Sequence, residues 1–170
     1  ISAALKHVLF HDLNRGAIVS AGAELNLPTG RQSARLGAGT AVFEPYVSAG
    51  QLVGESAFVQ AQAGVELPTN RTKGTRTAFW RIAAGQTFFN DRFHREWTPM
   101  MELVAARPLR DGAQAQWDIV PQLQLSLSRR HHVLVSGGMQ LPLNDRAGRG
   151  RTFRMYVLWD WFDGGFFSGW

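Results

Sequence analysis

The amino-acid sequence predicts an all-β protein, and more narrowly an antiparallel transmembrane β-barrel of which about nine strands are visible. Three observations support this expectation. Apolar and polar residues alternate with a period of two through most of the chain. The alternating segments are longer than ordinary globular strands, and turn residues separate them. No convincing helix is indicated.

The alternation is clearest at residues 115–128. Trp117, Ile119 and Leu123 fall on one side of that segment, and Gln122 and Gln124 fall on the other. Each predicted strand spans about 10–14 residues, enough for the ~9–11 that cross a bilayer in a tilted strand. The predicted strands are 2–11, 16–27, 37–49, 55–67, 76–88, 96–106, 115–128, 131–142 and 151–162.

A soluble sandwich alternates in the same way, because it also buries one face of each strand. Two features favour a membrane barrel instead. The connections alternate between two kinds, with 28–36, 68–75, 107–114 and 143–150 predicted to be extracellular and 12–15, 50–54, 89–95 and 129–130 periplasmic. Aromatic residues also concentrate near strand ends, as in the interfacial girdles of such barrels: Phe79, Trp80, Phe88, Phe89, Trp97, Trp159, Trp161 and Phe162.

One phrase occurs three times, as AGAELNLPTGR at 21–31, AGVELPTNR at 63–71 and GGMQLPLNDR at 137–146. Its pair of small residues permits close strand approach or curvature, and its proline stops a strand because proline has no N–H to donate. The predicted strand directions place all three copies where a strand meets an outer loop. The phrase is therefore interpreted as repeated strand-to-loop chemistry.

Two smaller patterns carry expectations of their own. Pro45, Pro99 and Pro121 fall within predicted strands on the apolar side, which indicates bulges or interrupted ladders. His7 and His11 are four residues apart. On a regular strand they would share a face about 13 Å apart, too far for one metal ion.

The composition narrows the function. The 170 residues suffice for a single domain, expected to be one outer-membrane barrel domain over 1–170. The net charge is +5, but the arginines form no continuous stripe and no nucleic-acid motif surrounds them. There is no cysteine, and the sequence pattern indicates neither a long apolar helix nor a signal peptide. No nucleophile motif stands out. We therefore expect no enzyme, no cofactor, no metal site and no nucleic-acid partner.

The C-terminal segment LWDWFDGGFFSGW ends on Trp170 and resembles the assembly signal of outer-membrane barrels. The segments FVQAQAGVELPT, EWTPMMELVAARPL and QWDIVPQLQLSLSRRHH resemble the outer-membrane transporter family named for the meta-pathway of phenol degradation. The resemblance covers about residues 5 to 170. It implies a β-barrel in the outer membrane of a Gram-negative bacterium and a channel for hydrophobic or aromatic compounds.

The chain departs from that family in one respect. Members begin with a signal peptide and further strands, and bacterial single-chain barrels close with an even number of strands. Nine is odd. We therefore expect that at least one N-terminal strand is missing from this sequence or supplied elsewhere.

A set of polar residues is predicted to line the lumen. In one interpretation they form a track that selects solutes by charge. In the other they neutralise one another in a plugged interior. The residues are Glu24, Glu44, Glu66, Arg81, Glu96, Glu102, Asp118, Gln122, Gln124, Gln140, Arg154 and Asp160.

A second set is basic and falls in or near the predicted outer loops. These cations bind lipopolysaccharide phosphates or anionic solutes in one interpretation, and in the other they are merely solvated. They are Arg31, Arg35, Arg71, Lys73, Arg107, Arg110, Arg146, Arg149 and Arg151, with Arg76 beside them.

Three functions follow from these patterns and from the family resemblance, which alone implies hydrophobic or aromatic solutes. The first is passive passage of small solutes, including hydrophobic or aromatic ones, through the outer membrane. The second is a scaffolding barrel that anchors or insulates a partner complex and conducts nothing. The third is a soluble lipocalin-like barrel that binds an apolar ligand. The expected partners are outer-membrane lipid, lipopolysaccharide, the barrel-assembly machinery and a partner complex or oligomer.

Overall fold

The chain forms one antiparallel β-sheet in a computed structural model that describes residues 1–30, 39–90, 95–128 and 132–159. These residues contain ten strands and no helix. The strands are β1 (Ser2–Asp12), β2 (Ala17–Asn26), β3 (Val42–Val53), β4 (Ala57–Pro68), β5 (Thr77–Gln86), β6 (Phe88–Asn90), β7 (Arg95–Pro108), β8 (Gln116–Ser126), β9 (Val133–Pro142) and β10 (Thr152–Trp159).

The sheet is a meander in which each long strand pairs with its neighbours in sequence. The order is β1-β2-β3-β4-β5-β7-β8-β9-β10, and the short β6 also pairs with β7. The expected all-β antiparallel fold is therefore confirmed. In the described part of the chain the sheet is open, because no ladder joins β1 to β10. Since nine long strands alternate in direction, these two edge strands point the same way.

The predicted number of nine strands differs from the observed ten because one predicted strand, 76–88, is divided into β5 and β6. The offset between partners is the same on both sides of the division, as Gly85 pairs with Met100 and Phe88 with Trp97. That offset places Gln86 opposite Pro99. Proline has no N–H to donate, so the ladder is broken there without a change of register.

The predicted third strand, 37–49, is wrong at its C-terminal end. The observed β3 continues to Val53, and Gly50 lies inside it. The turn instead uses Gly54, whose φ of 66° is in the left-handed region that glycine adopts without steric cost. The sequence offers both glycines within five residues, and period-two alternation alone does not distinguish them.

Pro45 and Pro121 interrupt ladders in the same manner as Pro99. On one side each keeps its partner, Ala23 for Pro45 and Met101 for Pro121. On the other side the pairing to β4 or β9 stops and resumes at the same offset. Interrupted ladders are thus confirmed at these prolines, and bulges are not.

The carbonyl oxygen of each of the three strand prolines lies close to a glycine on the neighbouring strand. A Cβ atom built on Gly64 would lie 2.5 Å from the carbonyl oxygen of Pro45. The corresponding distances are 3.0 Å from Gly85 to Pro99 and 2.9 Å from Gly138 to Pro121. Gly64 and Gly138 are the second small residues of two copies of the repeated phrase. Close strand approach, one of the two roles expected for that position, is therefore observed.

The one shift of register in the β1–β2 ladder lies between Val8 and Phe10. Because of it, His7 pairs with Ala21 but His11 pairs with Ile18. Ala21 and Ile18 are separated by an odd number of residues and so point to opposite faces. The expectation that both histidines share a face is wrong, since a bulge is not visible in the alternation of a strand this short.

The two faces of the sheet differ in an unusual way. Polar residues are the more buried, with Ser20 and Ser136 each 1% exposed. Large apolar residues are exposed, including Val47 at 54% and Ile82 at 47%. We call these the polar face and the apolar face. One cavity is lined by side chains from six strands, β1, β2, β3, β4, β5 and β7. In a flat sheet six strands would span about 24 Å, too wide for their side chains to surround a single cavity. The sheet therefore curls with its polar face concave.

The two ends of the sheet carry different connections. The long-loop end carries those after β2, β4, β7 and β9, and the short-turn end carries those after β1, β3, β6 and β8. Longer and shorter connections thus alternate as predicted. All three copies of the repeated phrase lie at the long-loop end, because β2, β4 and β9 run in the same direction.

Aromatic side chains form pairs on the apolar face toward both ends of the sheet. Toward the long-loop end, Trp80 and Trp117 meet edge to face at 5.5 Å across Ala105, which pairs with both. Toward the short-turn end, Phe88 and Trp97 lie 5.3 Å apart. Phe79 is an exception among the predicted girdle residues, since it is buried on the polar face over Gly64.

Candidate functional site

The polar face gathers the residues predicted to line a lumen. The strand registers place all of them that the structure describes on this one face, and Asp160 lies outside the described residues. They were predicted from their positions in the apolar–polar alternation of each strand. They are Glu24, Glu44, Glu66, Arg81, Glu96, Glu102, Asp118, Gln122, Gln124, Gln140 and Arg154.

Three glutamates form a row across neighbouring strands near the long-loop end. Glu24 pairs directly with Glu44, and the offset of the β3–β4 ladder places Glu66 on the other side of Glu44. All three side chains are half-buried. The Asn26 amide donates to Glu44 Oε1 at 2.6 Å. The row makes this end of the polar face an acceptor-rich strip.

Further along the face, two more carboxylates accept hydrogen bonds from amides. Gln122 Nε2 donates to Glu102 Oε2 at 2.7 Å. Gln140 Nε2 donates to Asp118 Oδ2 at 2.8 Å. An amide satisfies a carboxylate without cancelling its charge. Pairing of this kind therefore orders the side chains and leaves the face charged.

Asp118 also binds a residue that was predicted to be a basic loop residue. Arg149 Nη2 donates to both carboxylate oxygens, at 2.6 and 2.5 Å, and Arg149 Nη1 donates to the carbonyl of Asn144 at 3.1 Å. Asp118 is only 6% exposed. Arg149 thus folds the connection 143–151 back onto the polar face, and it is not a free surface cation. Sequence spacing gave no sign of this contact.

We expect Asp118→Asn to loosen this connection. A neutral amide loses the charge-assisted hydrogen bonds, worth about 1.5 kcal/mol, so amide hydrogen exchange over 143–151 should become roughly tenfold faster. The matched control is Asp145→Asn, an exposed position where Gln116 Nε2 donates to the carboxylate at 3.3 Å. Equal exchange rates in the two variants would show that the Arg149 contact does not hold the connection.

The two arginines of the polar face are not paired with the carboxylate of any described residue. Neither Arg81 nor Arg154 makes a hydrogen bond or a salt bridge to another described residue. Arg81 stacks over the ring of Phe79, with Cζ 5.3 Å from the centroid, and it interacts with Glu66 only at longer range. Both guanidinium-bearing side chains are exposed. Of the salt bridges described on this face, only Asp118–Arg149 neutralises a carboxylate directly.

Two cavities lie along the polar face. One of about 330 Å³ is lined by residues that include Lys6, Tyr46 and Gln62, and one of about 240 Å³ by residues that include Ser136 and Tyr156. Arg81 and Glu102 line both, so the cavities are two parts of one furrow. These five lining residues were not predicted as lumen residues from the sequence, although each falls at a polar-face position of its strand.

The remaining basic residues are distributed as follows. Arg71, Lys73, Arg110, Arg146 and Arg151 are exposed in connections or beside a strand at the long-loop end. Arg107 lies within β7 rather than in a loop, and its Nε donates to the carbonyl of Ala113 at 3.2 Å. The position was misassigned because β7 continues to Pro108. Arg31, Arg35 and Trp170 lie outside the described residues.

Comparisons with known proteins add no assignment. The chain matched no family model, no curated protein and no solved structure. In the residues that the structure describes, no group of three or more His, Cys, Asp or Glu side chains is placed to hold a metal ion. Those same residues include no helix long and apolar enough to cross a membrane. The geometry therefore defines the candidate site as a charged furrow on the concave face of an antiparallel sheet.

Proposed function

We propose that this chain is part of an outer-membrane β-barrel that lets small solutes pass through its polar interior. The observation that carries the proposal is the inverted exposure of the two faces. A soluble sheet buries its apolar side chains and wets its polar ones. Between its two edge strands this sheet does the opposite, which is the pattern required when lipid surrounds the outside and solute or water occupies the inside.

The apolar face supports this proposal in its detail. Its exposed side chains come from strands throughout the sheet, among them Leu25, Val59, Leu123 and Met155. Scattered apolar residues are ordinary on a soluble surface, but a continuous apolar face is not. The pairs Trp80–Trp117 and Phe88–Trp97 lie toward opposite ends of this face. Aromatic residues in two bands fit the two interfaces of a bilayer.

The interior favours the passage of solutes rather than a plugged, scaffolding barrel. A plug made by mutual neutralisation would pair Arg81 and Arg154 with the carboxylates around them, and the described residues contain no such pair. The furrow also extends from β1 to β10. The connection 143–151, which Arg149 folds back, contributes no lining residue to either cavity.

The proposal requires the sheet to close. Because β1 and β10 point the same way, an antiparallel closure needs an odd number of further strands between them. One further strand, added to the nine long strands, would give a barrel of ten long strands, an even number as in bacterial single-chain barrels. The short β6 is not counted among the ten. Outer-membrane lipid, lipopolysaccharide at the long-loop end and the barrel-assembly machinery are the partners that this proposal implies.

Planar-bilayer recording of the full-length protein tests the proposal. We expect stepwise increases of conductance in KCl after reconstitution, and none from a heat-denatured sample of the same preparation. Insertion into lipid without conductance would favour the scaffolding barrel. A protein that stays folded and monomeric in buffer without detergent would favour the soluble barrel and overturn both membrane functions.

A further inference from the structure

We propose that the furrow holds a binding site for a small organic carboxylate, with Arg81 and Arg154 as its cationic anchors. The inference rests on the proposed function for its biological use, because it names the class of solute that the interior favours. The binding itself does not depend on passage through a membrane, and the two can be tested separately.

The charges that line the furrow favour an anion. Lys6, Arg81 and Arg154 are the described cations of its lining, and Glu102 is the described carboxylate. One oxygen of Glu102 already accepts a hydrogen bond from Gln122. The two arginines have no carboxylate partner among the described side chains, so their fork-shaped donor sets are available. A planar carboxylate matches that donor geometry better than a point charge does.

A buried polar atom gives a second, independent indication of a ligand. Ser136 Oγ lines the 240 Å³ cavity, is buried, and has no hydrogen-bond partner in the described structure. Buried hydroxyl groups are nearly always partnered. Ser136 pairs in register with Tyr156, beside the Gly138–Arg154 pair. A carboxylate held by Arg154 would have this hydroxyl as an additional donor.

Two valines form an apolar part of the lining of the same cavity. Val104 and Val120 line it, and Val120 is buried. Gly138 contributes no side chain there, and Gln122 lies over it. The strands of these valines, β7 and β8, lie between those of Arg81 and Arg154, so the cavity offers cations and an apolar surface to a ligand with a charged head and an apolar body. The stacking of Arg81 on Phe79 holds one anchor in place before the ligand arrives.

Calorimetric titration of the full-length protein in detergent tests this site, with benzoate as the probe. Benzamide has nearly the same shape without the charge, and we expect it to bind at least tenfold more weakly. Arg81→Gln and Arg154→Gln should each weaken benzoate binding about tenfold. The matched control is Arg151→Gln, an exposed arginine just before β10 that does not line either cavity.

Several outcomes would overturn the inference. Equal affinities for benzoate and benzamide would show that the site does not recognise the negative charge of the ligand. An equal loss in Arg151→Gln would show a general effect of surface charge. Displacement of benzoate by inorganic phosphate at equal concentration would make the site a general anion site. Far-ultraviolet circular dichroism of every variant separates loss of binding from loss of fold. Conductance without benzoate binding would leave the proposed function intact and remove only this site.

Discussion

Val47→Arg should strongly destabilise the protein in lipid, by about 2–4 kcal/mol. Val47 lies near the middle of β3 on the apolar face and is 54% exposed. At an exposed position of a soluble protein, such a change costs within about 0.5 kcal/mol. If lipid surrounds this face, an arginine at mid-strand places its charge near the middle of the bilayer. The measurement is the free energy of unfolding from liposomes in a guanidinium titration.

The neighbouring residue supplies the matched control. Ser48→Arg introduces the same side chain one residue later, on the polar face, where Ser48 lines the larger cavity. The cavity has space for the added side chain, and Glu102 also lines it. We expect this variant to unfold within about 0.5 kcal/mol of the parent. Similar stabilities for the two variants in liposomes would contradict the assignment of the apolar face to lipid.

Gly64→Ala should destabilise the sheet by about 1–3 kcal/mol, since it forces an extra atom into a contact that is already closed. Its Cβ would lie 2.5 Å from the backbone oxygen of Pro45 and 2.7 Å from Cζ of Phe79. Phe79 can move to some extent, but the backbone of a paired strand cannot move without disturbing its ladder. The expected result is a lower denaturant midpoint with an unchanged slope.

Gly137→Ala is the control for this substitution, because it changes the first glycine of another copy of the repeated phrase. Its Cβ would lie 3.6 Å from Phe153, an ordinary contact distance. Replacing a strand glycine without a clash removes backbone freedom from the unfolded chain, so this variant should be neutral or slightly more stable. If both substitutions lower the free energy of unfolding equally, the close approach at Gly64 is not what destabilises the sheet.

The sequence predicted the strands and the composition of the two faces well, since both depend on local alternation. Glu24, Glu66 and Gln140 fall on one face for the same reason that Val47 falls on the other. The prolines of the repeated phrase were also predicted to end strands, and Pro68 and Pro142 are the last residues of β4 and β9, because proline acts through the local backbone. These properties need no knowledge of which strands are neighbours.

The missed features depend on contacts between distant residues or on small irregularities. The contact of Arg149 with Asp118 joins residues separated by 31 positions, and only a folded connection creates it. The bulge in β1 that separates His7 from His11 shifts the register of one strand by a single residue. The unpartnered hydroxyl of Ser136 became visible only when its surroundings were known. Candidate site residues could thus be predicted by face, but their partners could not.

The meander order has a consequence for how the sheet forms. Every ladder between two long strands of the described sheet joins strands that follow each other in the chain, apart from the short β6. Hairpins of this kind need only short loops to close, so each strand can add to the growing edge with a small loss of chain entropy. Closure next to β1 and β10 would be the single step that brings distant parts of the sequence together. That seam would form last, and it would be the first place to open.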